Sequence, residues 1–331
     1  MLKKPNLNAA RPERQRVREL AHAVSGASFP KLALGIGDDA ALLRIPAGHE
    51  IVVTTDFSLE GVHFRRDWHS AQSAGHRCLA RGLSDLAAMG AQPVAAFLSL
   101  ALPRKLAGAW ADDFFAGLLA LARQYNVPLA GGDLTSSPTD VFADIVLIGS
   151  VPRDRALLRS SARPGDLLYV TGQLGGAAAE LAAISRKRKP ASGARKISAG
   201  PHPHLFPQPC IAAGLALAEP LTRIACIDIS DGLAIDLSRL CESSNVIAEI
   251  DAASLPIARG ATRQQAMSGG EDYELLFTAP PRTKIPAQLG GVPIARIGRI
   301  AACKEGQPQL TLISARGKRT PLQPLGWQSF T

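Results

Sequence analysis

Along this chain aspartates recur beside glycines or at the ends of apolar runs, and six such placements stand out. The first case is Gly35-Ile36-Gly37-Asp38-Asp39-Ala40-Ala41-Leu42-Leu43, and Asp56, Asp85, Asp133, Asp228 and Asp231 follow. The two glycines let the backbone turn tightly, and the adjacent carboxylates repel each other unless positive charge sits between them. One Gly-Asp-Asp alone is usually just a turn. Six such placements ask for more, because hard cations such as Mg²⁺ take oxygen ligands and ATP brings several negative charges to neutralise. The pattern points to a carboxylate-built magnesium and nucleotide site.

The rest of the chain limits what such a site could belong to. Its 331 residues are enough for one or two domains with a sizeable core. Hydrophobic residues at 46% and charged residues at 20% fit an ordinary globular enzyme. The net charge of +9 is scattered, with concentrations near Arg11–Arg18 and Arg186–Lys196. Basic surface suits nucleic acid or phosphorylated small molecules, or is simply a solvated face. With three Trp and three Tyr, stacking platforms for single strands have little support, so no nucleic-acid partner is expected. The five cysteines are odd in number and widely spaced, which argues against a disulfide framework or a zinc site and for a reducing compartment. Residues 1–20 lack an apolar signal region, and the longest apolar run, Val94–Leu102, is too short to span a bilayer. A cytoplasmic protein with no membrane partner is expected.

In chain order, Met1–Ala10 reads as a disordered lead and Arg11–Val24 as a surface amphipathic helix. Ile51–Asp56 is a β-branched strand that puts Thr54, Thr55 and Asp56 at its C-terminal end, where ligands often sit. His63, within Glu60-Gly61-Val62-His63-Phe64, reads by itself as structural. Ala74–Met89 is a helix, in which Arg81 and Asp85 could form a helical salt bridge. Pro93–Pro103 is an apolar strand and Ala107–Gln124 a helix. Val127–Thr135 is a short strand running into Gly131-Gly132-Asp133, where the backbone could approach a phosphate or metal, or merely turn. Val141–Val151 is another strand, and Arg153–Pro164 looks like a hinge dividing a domain at 1–150 from a second at 151–331.

The second half opens with a strand over Gly165–Gly172 and a helix over Ala177–Ile184, with no Lys-Ser/Thr to make a P-loop. Arg186–Pro209 reads as an exposed, basic connection. A helix begins at Ile211. At Ala225–Leu233 a strand meets a helix, and Ser230 or Asp231 could cap it; Asp228, inside an apolar strand, has no such bland account. Val246–Ile250 is a strand. Carboxylates again follow a double glycine in Gly269-Gly270-Glu271-Asp272. Trp327 reads as a core anchor or as a flat apolar surface for a ring, the core being favoured.

Taken together, Gly35–Leu43, Thr54-Thr55-Asp56, Leu83–Ala91, Gly131-Gly132-Asp133, Ile229–Leu233, Gly269–Glu274 and the Gly326-Trp327 ending resemble the thiamine-monophosphate kinases, from about Gly35 to Trp327. The resemblance implies an α+β, two-domain aminoimidazole-ribonucleotide-synthetase-like fold. Its N-terminal sheet would form a barrel with a dimer mate, and a C-terminal α/β domain would complete the nucleotide and substrate site. It implies phosphorylation of thiamine monophosphate by ATP, with several Mg²⁺ ions held by Asp39, Thr55, Asp56, Asp85, Asp133 and Asp228. Thr54 and Asp231 would complete that shell. Gly132, Asp133, Arg159 and Ser230 would contact the nucleotide, and His63, Glu271 and Trp327 the thiamine moiety.

The chemistry agrees with this assignment. The acceptor is already an ionised phosphate, so no protein general base is expected. Two unit charges 4 Å apart repel by roughly 4 kcal/mol at an effective dielectric near 20. Clustered cations could cancel that repulsion while the reactants are placed in line. Two other readings remain: another ATP-dependent enzyme of the same superfamily, such as a formylglycinamidine-ribonucleotide cyclising synthetase, or a non-catalytic nucleotide-binding module. One departure stands out. Family members commonly carry Arg-Pro-x-Pro-Arg before a helix of the second domain, where this chain has Phe206-Pro207-Gln208-Pro209-Cys210.

Overall fold

The computed structural model describes residues 13–25, 29–186, 201–219 and 222–329. The expected lead over 1–10, and 187–200 of the expected exposed connection, lie outside the described residues. The described residues form two compact units. One takes those between 13 and 83 with 93–150, and the other takes 84–92, 151–186 and those between 201 and 329. Among the described residues no helix is long and apolar enough to cross a membrane.

The first unit runs through α1 (Glu13–Ser25), the antiparallel pair β1 (Leu32–Leu34) and β2 (Leu42–Leu43), β3 (His49–Leu59), α2 (Ala71–Ala88), β4 (Gln92–Pro103), α3 (Ala109–Gln124), β5 (Leu129–Ser137) and β6 (Phe142–Pro152). Its sheet has the order β3-β6-β4-β5. The β4 and β5 strands are parallel, which requires a crossover, and α3 supplies it. Cys78, Leu79 and Leu83 of α2 and Phe114, Leu118 and Leu121 of α3 are all essentially inaccessible. The two helices touch backbone to backbone through glycine. A Cβ on Gly75 would lie 1.9 Å from the Phe114 carbonyl oxygen, and one on Gly117 would lie 2.0 Å from that of Gln72. Leu32, Ala41, Leu43 and Ile45 pack on Val94 and Ala95, so this part of β4 is covered within the unit.

The second unit adds β7 (Leu167–Thr171), α4 (Gly176–Arg186), α5 (Ile211–Ala218), β8 (Ala225–Ile229), α6 (Leu233–Ser244), β9 (Val246–Asp251), α7 (Arg263–Ser268), β10 (Glu274–Ala279), β11 (Gln288–Leu289), β12 (Val292–Ala302), β13 (Leu310–Ile313) and β14 (Arg319–Pro321). Its sheet has the order β14-β13-β9-β12-β7-β10-β8, with β11 beside β12. Among the described strands of this sheet, only β13 and β9 pair in parallel. Leu168, Val170, Ile227, Leu237, Leu276 and Ile297 lie in the core between this sheet and its helices.

Two expectations change. Gly131-Gly132-Asp133 is not a turn but the middle of β5, in parallel register with Phe97, Leu98 and Ser99 of β4. Gly132 is needed there because its φ is +143 and a Cβ would lie 1.9 Å from the Leu98 carbonyl oxygen. Nor is the described end of the basic connection exposed throughout, although Pro201 and Gln208 are. His204, Pro207, Pro209 and Cys210 are buried, because the Glu180 carboxylate of α4 accepts hydrogen bonds from the backbone N–H groups of His204 and Leu205.

Candidate functional site

In the first unit, Asp38, Asp39 and Asp133 line a cavity of about 770 Å³ together with Gly35, Gly37, Gly131 and Gly132. Its other walls include Val17, Leu20, Leu98, Phe115 and Leu129, which makes an apolar hollow with three carboxylates beside it. The acidic side chains are turned by their own backbone. The Asp39 N–H donates to Asp38 Oδ1 at 2.8 Å, and the Leu134 N–H donates to Asp133 Oδ1 at 2.9 Å. Strand alternation then separates the residues expected at the end of β3. Thr54 and Asp56 share one face, and Arg81 of α2 donates to Asp56 Oδ1 at 2.8 Å. Thr55 lies on the opposite face and donates its hydroxyl to Asp144 Oδ1 at 2.8 Å. His63 is half-buried. Its Nδ1 accepts the Leu59 N–H at 3.0 Å, and its carbonyl accepts from Arg77 at 3.0 Å.

The donor set is one of carboxylate and hydroxyl oxygens, which suits Mg²⁺. Among the described residues no group of three or more His, Cys, Asp or Glu is placed to hold a metal ion. That arrangement still fits magnesium, which dehydrates reluctantly and is usually held by one or two carboxylates together with the phosphates of a substrate.

In the second unit Asp85 is half-buried on α2, and the preceding Ser84 donates to Asp228 Oδ2 at 2.8 Å. This hydroxyl explains how a carboxylate 3% exposed can sit inside the apolar β8. Arg159 lies on an exposed turn beside β8 and α6. Ser230, Asp231, Glu271 and Trp327 are brought together by backbone hydrogen bonds. The Glu271 N–H donates to the Ser230 carbonyl at 2.7 Å, and the Trp327 N–H donates to that of Asp231 at 3.0 Å. Trp327 is no core anchor, since it is 46% exposed. Its neighbour Gly326 is what packs closely: a Cβ there would lie 2.6 Å from the Asp231 carbonyl oxygen.

The residues that hold these loops were not foreseen. Neither Ser230 nor Asp231 caps α6, whose N-cap is Gly232 with no side-chain cap bond. Instead Asp236, one turn inside, accepts the N–H groups of Ser230, Asp231 and Gly232 on its Oδ2 at 3.1, 3.0 and 3.1 Å. Arg239 donates to both Asp231 and Asp236. Burial pushes the Asp236 carboxyl up to about 6, against the pull of those N–H donors. Asp272 does the same service for the turn before α4, accepting from the Gly175 and Ala177 N–H groups, and burial pushes it up to about 7. An acidic residue in a first helical turn, or directly after Gly-Gly-Glu, was the only available signal. Where the family arginines are missing, Cys210 and Thr171 both donate to Glu274 Oε2, at 3.2 and 2.5 Å. Burial raises both Glu274 and the Cys210 thiol above their ordinary values.

Comparison with known proteins places these two units. Residues 37–151 match the family model described as AIR synthase related protein, N-terminal domain, and residues 163–310 match its C-terminal domain. The chain is 42% identical to the thiamine-monophosphate kinase of Escherichia coli K12 over 285 residues, covering 82% of this chain and 86% of that protein. Among solved structures, the thiamine-monophosphate kinase of Stenotrophomonas maltophilia K279a superposes with a TM-score of 0.76 at 36% identity, covering 90% of this chain and 94% of that one. AaThiL complexed with AMPPCP and TMP superposes with a TM-score of 0.73 at 27% identity, covering 96% and 97%. The fold is thus that of two AIR-synthase-related domains of mixed helices and sheets, and the chain belongs to the thiamine-monophosphate kinase family.

Proposed function

We propose that the protein transfers the γ-phosphoryl group of ATP to thiamine monophosphate, giving thiamine diphosphate and ADP. The observation that carries this is the relationship to thiamine-monophosphate kinases over most of the chain, supported by a fold neighbour that holds AMPPCP and TMP. In this reading Asp39, Thr54, Thr55, Asp56, Asp85, Asp133, Asp228 and Asp231 hold Mg²⁺, Thr55 through its backbone carbonyl, because its hydroxyl lies on the opposite face of β3 from Thr54 and Asp56 and is given to Asp144. The bound cations would neutralise the phosphates of donor and acceptor. Gly132, Asp133, Arg159 and Ser230 contact the nucleotide, and Gly132 lets the backbone come close. His63, Glu271 and Trp327 contact the thiamine moiety, where an exposed indole and a carboxylate suit a cationic aromatic ring. No side chain is asked to move a proton, because the acceptor oxygen is already ionised.

A homodimer belongs to the same reading. Ile51, Val53 and Phe57 on one face of β3, and Phe142 on the neighbouring β6, are 57%, 59%, 58% and 43% exposed. The Thr55–Asp144 hydrogen bond puts these two rows on the same side of the sheet. Such an apolar patch suits a second copy of this chain. Operation in a reducing, cytoplasmic compartment belongs to the same reading, because the five cysteines are odd in number and widely spaced along the sequence. The test of function is release of ADP from ATP and Mg²⁺ with and without thiamine monophosphate. Release that requires the thiamine ester supports the proposal, and nucleotide binding without release under any acceptor contradicts it.

A further inference from the structure

Glu271 is held in an unusual way. Its φ is +67, in the left-handed region that non-glycine residues occupy only when their surroundings force them. Here the forcing comes from the backbone: the Glu271 N–H reaches the Ser230 carbonyl at 2.7 Å, and the Tyr273 N–H reaches that of Ile229 at 2.9 Å. This fixes the start of the side chain but leaves its far end with several rotamers to choose from. At that end, His204 Nδ1 lies 3.1 Å from Glu271 Oε2. The His204 side chain is 2% exposed, and the Glu271 side chain is 21% exposed.

His204 is itself anchored. Its own N–H donates to Glu180 Oε2 at 2.8 Å, and His202 Nδ1 lies 2.6 Å from Glu180 Oε1. Between the two histidines, Pro203 packs where a Cβ on Gly176 would be 3.2 Å away. The anchoring therefore runs from α4, through Glu180 and the His202-Pro203-His204 segment, to the carboxylate of Glu271. A buried imidazole so fixed has one geometry to offer. Because a carboxylate can only accept, the contact uses the Nδ1–H tautomer.

We propose that His204 is a positioning residue, holding Glu271 in the rotamer that meets the fixed positive charge of a thiazolium-type substrate. This rests on the reading of Glu271 as a thiamine contact. A tethered carboxylate loses no rotamer freedom when the cationic ring arrives, so the substrate is bound more tightly without any contact to His204.

The test is a double-variant cycle on the full-length enzyme, with steady-state kinetics and thermal melting of each protein. His204→Leu should raise the KM for thiamine monophosphate about tenfold, leaving kcat and the KM for ATP within about twofold. His204→Asn, whose amide N–H can stand where Nδ1–H stood, should restore the KM to within about threefold. In a Glu271→Ala background, His204→Leu should add nothing. His204→Met, which fills the same space without a donor, carries the test if the leucine variant does not fold. If Glu271→Ala raises the KM and His204→Leu does not, this proposal fails while the reading of Glu271 stands. It fails equally if the two effects add independently. If Glu271→Ala leaves the KM unchanged, the reading of Glu271 itself is wrong.

Discussion

Asp236→Asn separates two forces that oppose each other at the loop Ser230-Asp231-Gly232. Three backbone N–H groups point at one carboxylate oxygen of Asp236, which favours ionisation, while the side chain is 1% exposed, which disfavours it. Burial wins, moving the carboxyl from 3.8 to about 6. The group is therefore harder to ionise in the fold than in the unfolded chain. Its contribution to stability is full below pH 3.8 and is lost as pH rises through about 6. That gap corresponds to about 3 kcal/mol. Asparagine keeps the shape and an accepting oxygen but does not titrate. Relative to the native protein, the variant should therefore gain about 2 kcal/mol between pH 4, where part of the effect is already spent, and pH 7.5, or about 4–8 °C in Tm for a unit of this size. Thermal or urea unfolding of both proteins at the two pH values reads this, since titrating groups that do not interact with Asp236 cancel in the difference and only its neighbours Asp231 and Arg239 are coupled to it. A variant that loses stability against the native protein as pH rises would show that the N–H donors outweigh burial, and would refute this balance of forces.

Asp133→Asn should abolish phosphoryl transfer, and its melting temperature without metal should hold or rise, because it relieves repulsion with Asp38 and Asp39 around one cavity. Asp56→Asn should also abolish transfer but melt lower, since Arg81 loses its charged partner; near-native turnover of either variant at limiting Mg²⁺ contradicts the metal assignment. Phe57→Lys should convert a dimer to a monomer by light scattering at micromolar concentration, and a native protein already monomeric there would remove the basis for the dimer. Phe206→Arg should change the KM for thiamine monophosphate less than threefold, because bound cations carry most of the anion binding; a tenfold drop at unchanged ATP affinity would show that a substrate-binding arginine has been lost.

The sequence carried the elements that periodicity and glycine can mark. The α2 and α3 helices, the β3 to β6 strands, and the α6 and β8 junction were legible because their apolar spacing follows the period of the structure they form. The strands β11 to β14 and the short α7 were not, since Val292–Ala302 mixes arginines and glycine into its pattern and its partners lie far apart in sequence. Glycine misled once. Gly131-Gly132 signals close approach as well as turning, and only the neighbouring Leu98 carbonyl tells the two apart. At the site, residues beside glycines could be named in advance. Asp236, Arg239 and His204 could not, and Arg81 and Asp272 were named without the partners they hold, Asp56 and the turn before α4, because each acts on a group that only the fold brings near. The exposure of Trp327 was missed for the same reason: its neighbour Gly326 packs closely against Asp231 and Ile235, which only the fold brings near.

The proposed reaction is a single direct transfer between two phosphates, with carboxylates holding cations and no protein nucleophile. It is tested most directly by following the stereochemistry of the transferred phosphorus, using ATP made chiral at the γ position with sulfur and oxygen isotopes. One in-line displacement onto thiamine monophosphate inverts that centre, and inversion in the thiamine diphosphate product is the predicted result. Retention would mean two displacements through a phosphorylated side chain, and would contradict the account.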